Sequence, residues 1–228
     1  MNIKPENFKQ DIQNFLDYIR FERMLSANTQ LSYQRDLRRY SDFLNQEGLN
    51  HLDLNDQDII NFLKYLRLHY ESNSISRILS SIRGFYRFLA REQKINVNPF
   101  ADTSNPKLPR RLVDVLSESE VDLFLSQVAK KLKQRDIAMF ELLYSCGLRA
   151  SELVGLKLKN IDFEENLLVL IGKGNKERIT PIGQKAVDSL ITYVNEERRV
   201  IAQYGQEFVF LNKFGKQISR QSLWKIMK

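Results

Sequence analysis

Hydrophobic residues recur at intervals of three and four through the first 94 positions, and short polar breaks divide them into four segments. This spacing is typical of amphipathic helices that bury one face. Ser26 supplies a capping signal for the second helix, and Gly48 ends it. Asn55 or Asp56 begins the third helix, and Ser74 begins the fourth. Four helices joined by short connections predict a compact helical domain.

Prolines mark where this helical pattern stops. Three of the five prolines in the chain lie between Asn98 and Arg111. Proline and the residue before it both resist the helical conformation. We therefore predict a helical domain over 1–97, an extended linker over 98–115 and a second domain over 116–228.

The second domain again carries helical patterns. A capping-box sequence at 117–120 begins one helix, and another runs from about 135 to a glycine stop at 147. A long helix is predicted over about 183–203, and Ser219 caps a last one. Most of this domain is therefore expected to be helical.

A short β-favouring stretch interrupts these helices. The runs 167–171 and 177–182 flank a turn rich in Gly and Asn, which predicts a β-hairpin. Lys173 and Lys176 lie in the turn and Arg178 follows it. A lysine on a glycine-rich turn can approach a phosphate closely and donate a proton to it, although a surface turn made soluble by lysines is the simpler interpretation. The predicted fold class is mainly α with a small β-hairpin or sheet.

Charge adds a candidate partner. The 228 residues carry 35 Lys and Arg against 28 Asp and Glu, a net charge of +7, and both halves share the excess. Dispersed basic residues suit a nucleic acid better than a membrane surface, which usually attracts one concentrated basic helix. One cysteine and two histidines leave no disulfide framework and few metal ligands. With no long apolar run, we expect a cytoplasmic protein with no membrane contact, metal or cofactor.

The fourth helix carries the most suggestive basic row. At about 100° per residue, four basic side chains fall within an arc of roughly 80°: Arg83, Arg87, Arg91 and Lys94. None of its arginines follows an acidic residue by four positions, so no local pair neutralises the row. A phosphate backbone would fit such a row, and a solvated face is the alternative. Arg35 on the second helix is a weaker candidate because Asp36 interrupts its basic run.

A cation also stands at a helix junction in the second domain. Arg149 follows the glycine stop at Gly147 and directly precedes a new helix. An arginine held there among apolar residues needs an anion, which Glu152 or a phosphate could supply.

These pieces together resemble a known family. Gly147–Leu153 and Ile171–Ile182 resemble the first two catalytic boxes of the tyrosine recombinases, also called the phage integrase family. Asn28–Leu37, Pro106–Arg110 and Ser219–Lys225 resemble the core-binding domain, linker and DNA-reading helix of the Xer site-specific recombinases, which resolve chromosome dimers. Five motifs in the right order span the whole chain, which makes the resemblance far more specific than any single motif.

The resemblance implies a fold and a role for each residue. A four-helix, SAM-like core-binding domain would join an α+β catalytic domain, and the two would close on double-stranded DNA as a clamp. Arg149 matches the arginine that holds the scissile phosphate, and Lys173 matches the general acid toward the leaving 5′ oxygen. Glu152 would support them, and Arg220 would read the major groove. Arg35, the fourth-helix row, Lys176 and Arg178 would contact DNA.

The chain departs from the family pattern after its last predicted helix. In members of this family a His-x-x-Arg box and a nucleophilic tyrosine follow, whereas neither histidine here lies in the second domain and the last tyrosine is Tyr204. We therefore expect a truncated catalytic domain with no nucleophile, which binds DNA but does not cleave it. Other recombinase protomers are expected partners of the complete protein. The alternatives are a non-catalytic DNA-binding module, a mobile-element integrase fragment, and a helical interaction protein whose basic residues only confer solubility.

Overall fold

The computed structural model describes residues 5–106, 115–172 and 177–228, and it confirms the mainly helical fold. The chain divides into two compact units, residues 1–112 and 113–228, each with its own hydrophobic core. The predicted boundaries at 97 and 116 stay predictions, and 107–114 of the predicted linker lies outside the described residues.

The first unit consists of helices. In chain order they are α1 (Pro5–Asp17) with a π-helical turn (Tyr18–Glu22), α2 (Ala27–Glu47), α3 (Asp56–His69) and α4 (Ser72–Arg91). The predicted boundaries of α2 are confirmed, because the Ser26 hydroxyl accepts a bond from the Thr29 amide and Gly48 closes the helix in the left-handed conformation. Asn55 forms a capping box at the start of α3. The prediction that Ser74 begins α4 is wrong by two residues, since the helix begins at Ser72.

Aromatic side chains fill the core of this unit. Phe15, Tyr40, Phe85 and Tyr86 are almost fully buried between α1, α2 and α4. Phe100 is also fully buried and packs against Tyr86, with ring centroids 5.2 Å apart. The start of the segment predicted as an extended linker is therefore folded onto the first unit.

A buried polar cluster joins three segments of the first unit. Asp11 of α1 accepts a hydrogen bond from His51 at 2.9 Å and forms an ion pair with Lys94. The Asp11 side chain is only 4% exposed. The Tyr86 hydroxyl donates to the His51 carbonyl oxygen at 2.9 Å. Burial lowers the pKa of His51 and outweighs the opposing effect of Asp11.

The second unit combines helices with a small sheet. Its helices are α5 (Glu118–Lys131), α6 (Gln134–Cys146), α7 (Ala150–Val154), α8 (Gln184–Tyr193), α9 (Arg199–Ile201) and α10 (Arg220–Met227). Its strands are β1 (Ile161–Asp162), β2 (Leu167–Ile171) and β3 (Glu177–Pro181), in the antiparallel order β1-β2-β3. The predicted hairpin strands are confirmed, whereas the predicted long helix is interrupted by a π-helical turn at Val194–Arg198. No helix in the described ranges is both long and apolar enough to cross a membrane.

The core of the second unit lies between α6, α8 and the sheet. Leu142, Leu168, Leu190 and Phe210 are fully buried there. Cys146, the only cysteine in the chain, belongs to this core, and its thiol donates to the Pro181 carbonyl oxygen at 3.5 Å. This contact joins the end of α6 to the end of β3.

Candidate functional site

Arg149 lies between the end of α6 and the start of α7. Gly147 ends α6 in the left-handed conformation, with φ of 57°, and Arg149 is the N-cap of α7. Its amide donates to Glu152 Oε2 at 2.8 Å, and its Nη1 donates to Glu152 Oε1 at 2.8 Å. Of the two anions that the sequence left open for Arg149, Glu152 or a phosphate, Glu152 is paired with it in the structure.

Arg178 reaches the same carboxylate from the sheet. It lies on β3 opposite Leu170, and its Nη2 donates to Glu152 Oε2 at 3.0 Å. The Glu152 side chain is 8% exposed, whereas those of Arg149 and Arg178 are 67% and 41% exposed. One nearly buried carboxylate therefore holds two guanidinium groups whose outer faces remain open to solvent.

The charge state of Glu152 follows from these contacts. Burial alone raises the pKa of its carboxyl group, but hydrogen bonds from Arg149 and the charge of Arg178 outweigh burial, so the pKa is lowered. Glu152 is therefore ionised at neutral pH, and the cluster carries one negative and two positive charges. Its excess positive charge lies on the solvent side, where an anion can bind.

The hairpin tip lies outside the described residues. Lys173 and Lys176 both belong to it, so their distance from Arg149 and their predicted roles stay predictions. The structure describes the strand that follows the tip, and there Arg178 bonds to Glu152. The expected DNA contact by Arg178 is not tested, but the structure gives this side chain a partner within the protein.

Glu152 also lines a cleft of about 320 Å³. Ser151, Lys157, Lys159 and Asn160 line it. Lys157 forms an ion pair with Glu207 at 2.7 Å, while Lys159 is exposed. Sequence reasoning missed Lys159, because no motif or periodic pattern distinguishes it from other surface lysines.

Arg220 is exposed at the start of α10. The Ser219 hydroxyl accepts a bond from the Ser222 amide at 3.1 Å, which confirms the predicted cap. The helix packs through the buried Leu223, and Trp224 and Lys225 are exposed on it. An exposed arginine in the first turn of a helix is placed as a base-reading side chain would require, although its role stays a prediction.

The basic row of α4 has partners that its own sequence does not reveal. Arg83 donates to the Thr103 carbonyl oxygen at 3.0 Å and to Asn105 Oδ1 at 2.6 Å. Arg91 pairs with Glu22 at 2.8 Å, and Lys94 pairs with the buried Asp11. The prediction concerned local pairs only, and acidic residues distant in sequence nevertheless reach two members of the row, Arg91 and Lys94.

Arg35 and Arg87 remain exposed on the first unit. Arg35 of α2 donates only to its own helix, at the Leu31 carbonyl oxygen 3.3 Å away. Arg87 lines a cleft of about 250 Å³ together with Arg91 and Arg23. Arg23 was missed because it follows the irregular π-helical turn, where no helical period applies.

Two family profiles match the chain. The profile described as "Phage integrase family" covers residues 114–228, and the one described as "Phage integrase, N-terminal SAM-like domain" covers residues 12–93. Together they account for most of both compact units.

Curated relatives are similar along nearly the whole chain. The protein named tyrosine recombinase XerD from Proteus mirabilis is 40% identical over 221 residues, which cover 95% of this chain and 71% of the relative. The protein of the same name from Staphylococcus epidermidis is 36% identical over 222 residues, which cover 95% and 75%.

Solved structures share the fold at lower identity. A lambda integrase dimer bound to a COC′ core site is similar with a TM-score of 0.72 and 16% identity, covering 96% of this chain and 75% of that one. The Tn1549 transposon integrase with transposon right end DNA gives a TM-score of 0.68 and 22% identity, covering 92% and 73%. At these identities the similarity demonstrates the fold alone.

Proposed function

The chain belongs to the phage integrase family, the tyrosine recombinases, and on that premise we propose that it acts in site-specific recombination of duplex DNA as an Xer-type recombinase. The 36–40% identity to proteins named XerD supports the Xer type, and a mobile-element integrase is the alternative. We place its activity in the cytoplasm, on chromosomal DNA, with chromosome-dimer resolution as its role.

The observation that carries this proposal is the double ion pair of Glu152. The carboxylate fixes the Arg149 guanidinium through Nη1, at the N-cap of α7, and leaves most of that side chain exposed. A guanidinium donates through up to five N–H groups, so the remaining ones can bind a phosphate while the pair to Glu152 persists. Held in this way, Arg149 would stabilise the charge that develops on a phosphate under nucleophilic attack.

The sheet supports a second role at the same phosphate. Arg178 ties β3 to Glu152, and β3 forms one side of the hairpin whose tip carries Lys173. In the proposed mechanism a tyrosine attacks the phosphorus and forms a 3′-phosphotyrosine, while Lys173 protonates the 5′ oxygen that leaves. None of the nine tyrosines of this chain is assigned as that nucleophile. Lys176 would contact the neighbouring backbone.

Both units would hold the duplex. In the second unit Arg220 would contact base edges in the major groove, where arginine can bind guanine in bidentate fashion. In the first unit Arg35 and Arg87 are exposed and form no ion pair with any described residue, and we propose that they bind backbone phosphates. Other recombinase protomers, identical or not, would complete the assembly on DNA.

The experiment joins a protein substitution to a single change in the DNA. The 228-residue chain is titrated by fluorescence anisotropy against duplexes that carry a recombination site of an XerD relative. In each duplex one phosphate is replaced by a neutral methylphosphonate. We expect Arg149→Ala to weaken binding about tenfold, because a charge-assisted pair is lost. In the duplex whose methylphosphonate replaces the phosphate bound by Arg149, Arg149→Ala should cause no further loss, because that phosphate has already lost its negative charge.

Arg199→Ala is the matched control, because Arg199 is an exposed arginine of the same unit. For Arg199→Ala, no methylphosphonate position should abolish the loss of affinity that the substitution causes. If Arg149→Ala weakened binding by the same factor at every methylphosphonate position, Arg149 would not bind one particular phosphate, and its proposed role would be wrong. Failure of the unaltered chain to bind any duplex would reject the proposed function.

A further inference from the structure

A cleft in the first unit combines arginines with aromatic side chains. It has a volume of about 250 Å³ and lies between the π-helical turn, α2 and α4. Gly84 of α4 lies beside its aromatic wall, since a methyl group there would come within 3.3 Å of the Tyr33 ring. Phe15 and Phe88 complete that wall. Aromatic walls lower the local dielectric and so strengthen the field of charges at the rim.

Three guanidinium groups stand at this cleft, and they come from two elements. Arg23 follows the π-helical turn, while Arg87 and Arg91 lie one turn apart on α4. Arg91 is paired with Glu22 at 2.8 Å and approaches Glu92 at 4.0 Å. Within the described ranges, Arg23 and Arg87 form no ion pair.

The arginines of the cleft lower the pKa of the Tyr18 hydroxyl. The Arg91 guanidinium lies 4.7 Å from the centre of the Tyr18 ring. A hydrogen bond from Arg23 is the main cause of a lowered pKa of the Tyr18 hydroxyl, and Arg91 lowers it further. Arg23, Arg91 and Tyr18 all line the same cleft, so they can act on one ligand.

We infer that Arg23, Arg87 and the Tyr18 hydroxyl form a subsite for one backbone phosphate of duplex DNA, with Arg91 as a fixed neighbouring charge. The proposal rests on the proposed function and adds to it a contact that the basic row alone does not predict. Arg23 and Arg87, which form no ion pair with the described residues, offer the planar donors that phosphate oxygens accept. The contact is to the backbone, so it contributes affinity and register without reading sequence.

The test compares single substitutions of equal charge. Arg23→Gln, Arg87→Gln and Arg20→Gln are made in the 228-residue chain, and affinity for a duplex of arbitrary sequence is measured at several salt concentrations. Arg20 is exposed on the π-helical turn but does not line the cleft, so it controls for general loss of charge. Arg23→Gln and Arg87→Gln should each weaken binding about tenfold at low salt. Each should also reduce the slope of log affinity against log salt by about 1, while Arg20→Gln leaves it unchanged.

The outcomes separate the subsite from the wider proposal. Equal slopes for all three variants would overturn the subsite and leave DNA binding intact. Absence of duplex binding by the unaltered chain would overturn both. As a second readout, Tyr18→Phe should weaken binding on its own and less so when Arg23→Gln is already present, because the two groups share one phosphate. Additive effects of Tyr18→Phe and Arg23→Gln would contradict a shared ligand.

Discussion

Glu152 determines how two arginines of the second unit behave. Its carboxylate accepts three hydrogen bonds, two from Arg149 and one from Arg178, while its side chain is only 8% exposed. The bond from Arg178 joins groups that are 26 positions apart in the chain. The ionised carboxylate therefore fixes the N-cap of α7 against β3, and its loss should be measurable as stability.

Glu152→Gln should lower the free energy of unfolding of the second unit by about 1–3 kcal/mol at pH 7, because charge-assisted bonds are replaced by weaker ones. The pKa of Glu152 is lowered in the folded state. Its contribution is thus complete above the unfolded pKa and is lost as pH falls through the folded pKa. Urea unfolding followed by the fluorescence of Trp224, the sole tryptophan, measures this unit at pH 7 and at pH 3.

The free energies of unfolding of the unaltered chain and of Glu152→Gln should differ less at pH 3 than at pH 7. Glu165→Gln, which alters an exposed glutamate of the same unit, should leave both values nearly unchanged. If it destabilised the unit as much as Glu152→Gln does, the ion pairs of Glu152 would not be the cause.

At the scale of elements, a tight turn fixes the start of α10. The Asn212 amide donates to the Lys216 carbonyl oxygen at 2.7 Å, and the Ile218 amide donates to that of Phe210 at 3.0 Å. Gly215 lies in this turn with φ of 72°. The turn brings the chain back toward Ser219, so it positions the helix that carries Arg220.

Gly205→Ala and Gly215→Ala should separate two costs of adding a side chain. Both glycines have nearly the same positive φ, 74° and 72°, which costs an alanine about 1 kcal/mol. At Gly205 the added methyl group meets nothing within 4 Å, whereas at Gly215 it would lie 2.3 Å from the Ile201 carbonyl oxygen. We expect Gly215→Ala to cost at least about 3 kcal/mol in urea unfolding, since overpacking adds to the backbone strain. Equal losses in the two variants would mean that the turn shifts freely to admit the methyl group.

At the scale of the whole molecule, the two units depend on pH through different groups. His51 of the first unit has a lowered pKa because it is buried, and Asp11 and Lys94 are the charged groups of its cluster. A base with a lowered folded pKa binds protons more readily when unfolded. Stability is therefore lost as pH falls from about 6.5 toward the folded pKa. The second unit depends on Glu152, which titrates at lower pH.

Acidification from pH 7 to pH 5.5 should therefore destabilise the first unit before the second. Hydrogen exchange read by mass spectrometry, corrected for the intrinsic effect of pH, should show faster opening of α1 and α4 while α6 and α8 stay protected. His51→Phe should remove this dependence. His69→Gln, a change of the other histidine, which is exposed on α3, should retain it. Loss of protection in both units together would contradict the assignment to His51.

Sequence patterns predicted much of this molecule, because caps and hydrophobic periods are local. Ser26, Ser117 and Ser219 all cap the helices they were predicted to begin. The Arg149–Glu152 pair was also foreseeable, since three positions on one helix start place them together. Arg83 shows the limit: its acceptors follow it by 20 and 22 positions, and folding alone brings them near. The sequence analysis missed Arg23 for a related reason: it directly follows a π-helical turn, whose residues do not show the helical period.

The burial of Cys146 has a practical consequence for studying the molecule in motion. Its thiol lies in the core of the second unit, and burial raises its pKa, so little reactive thiolate forms at neutral pH. The chain has no other cysteine. A cysteine introduced in place of the exposed Ser80 or Ser126 would then take up a maleimide dye far faster than the native thiol does. Doubly labelled chains of this kind would let energy transfer follow the distance between the two halves as duplex is added.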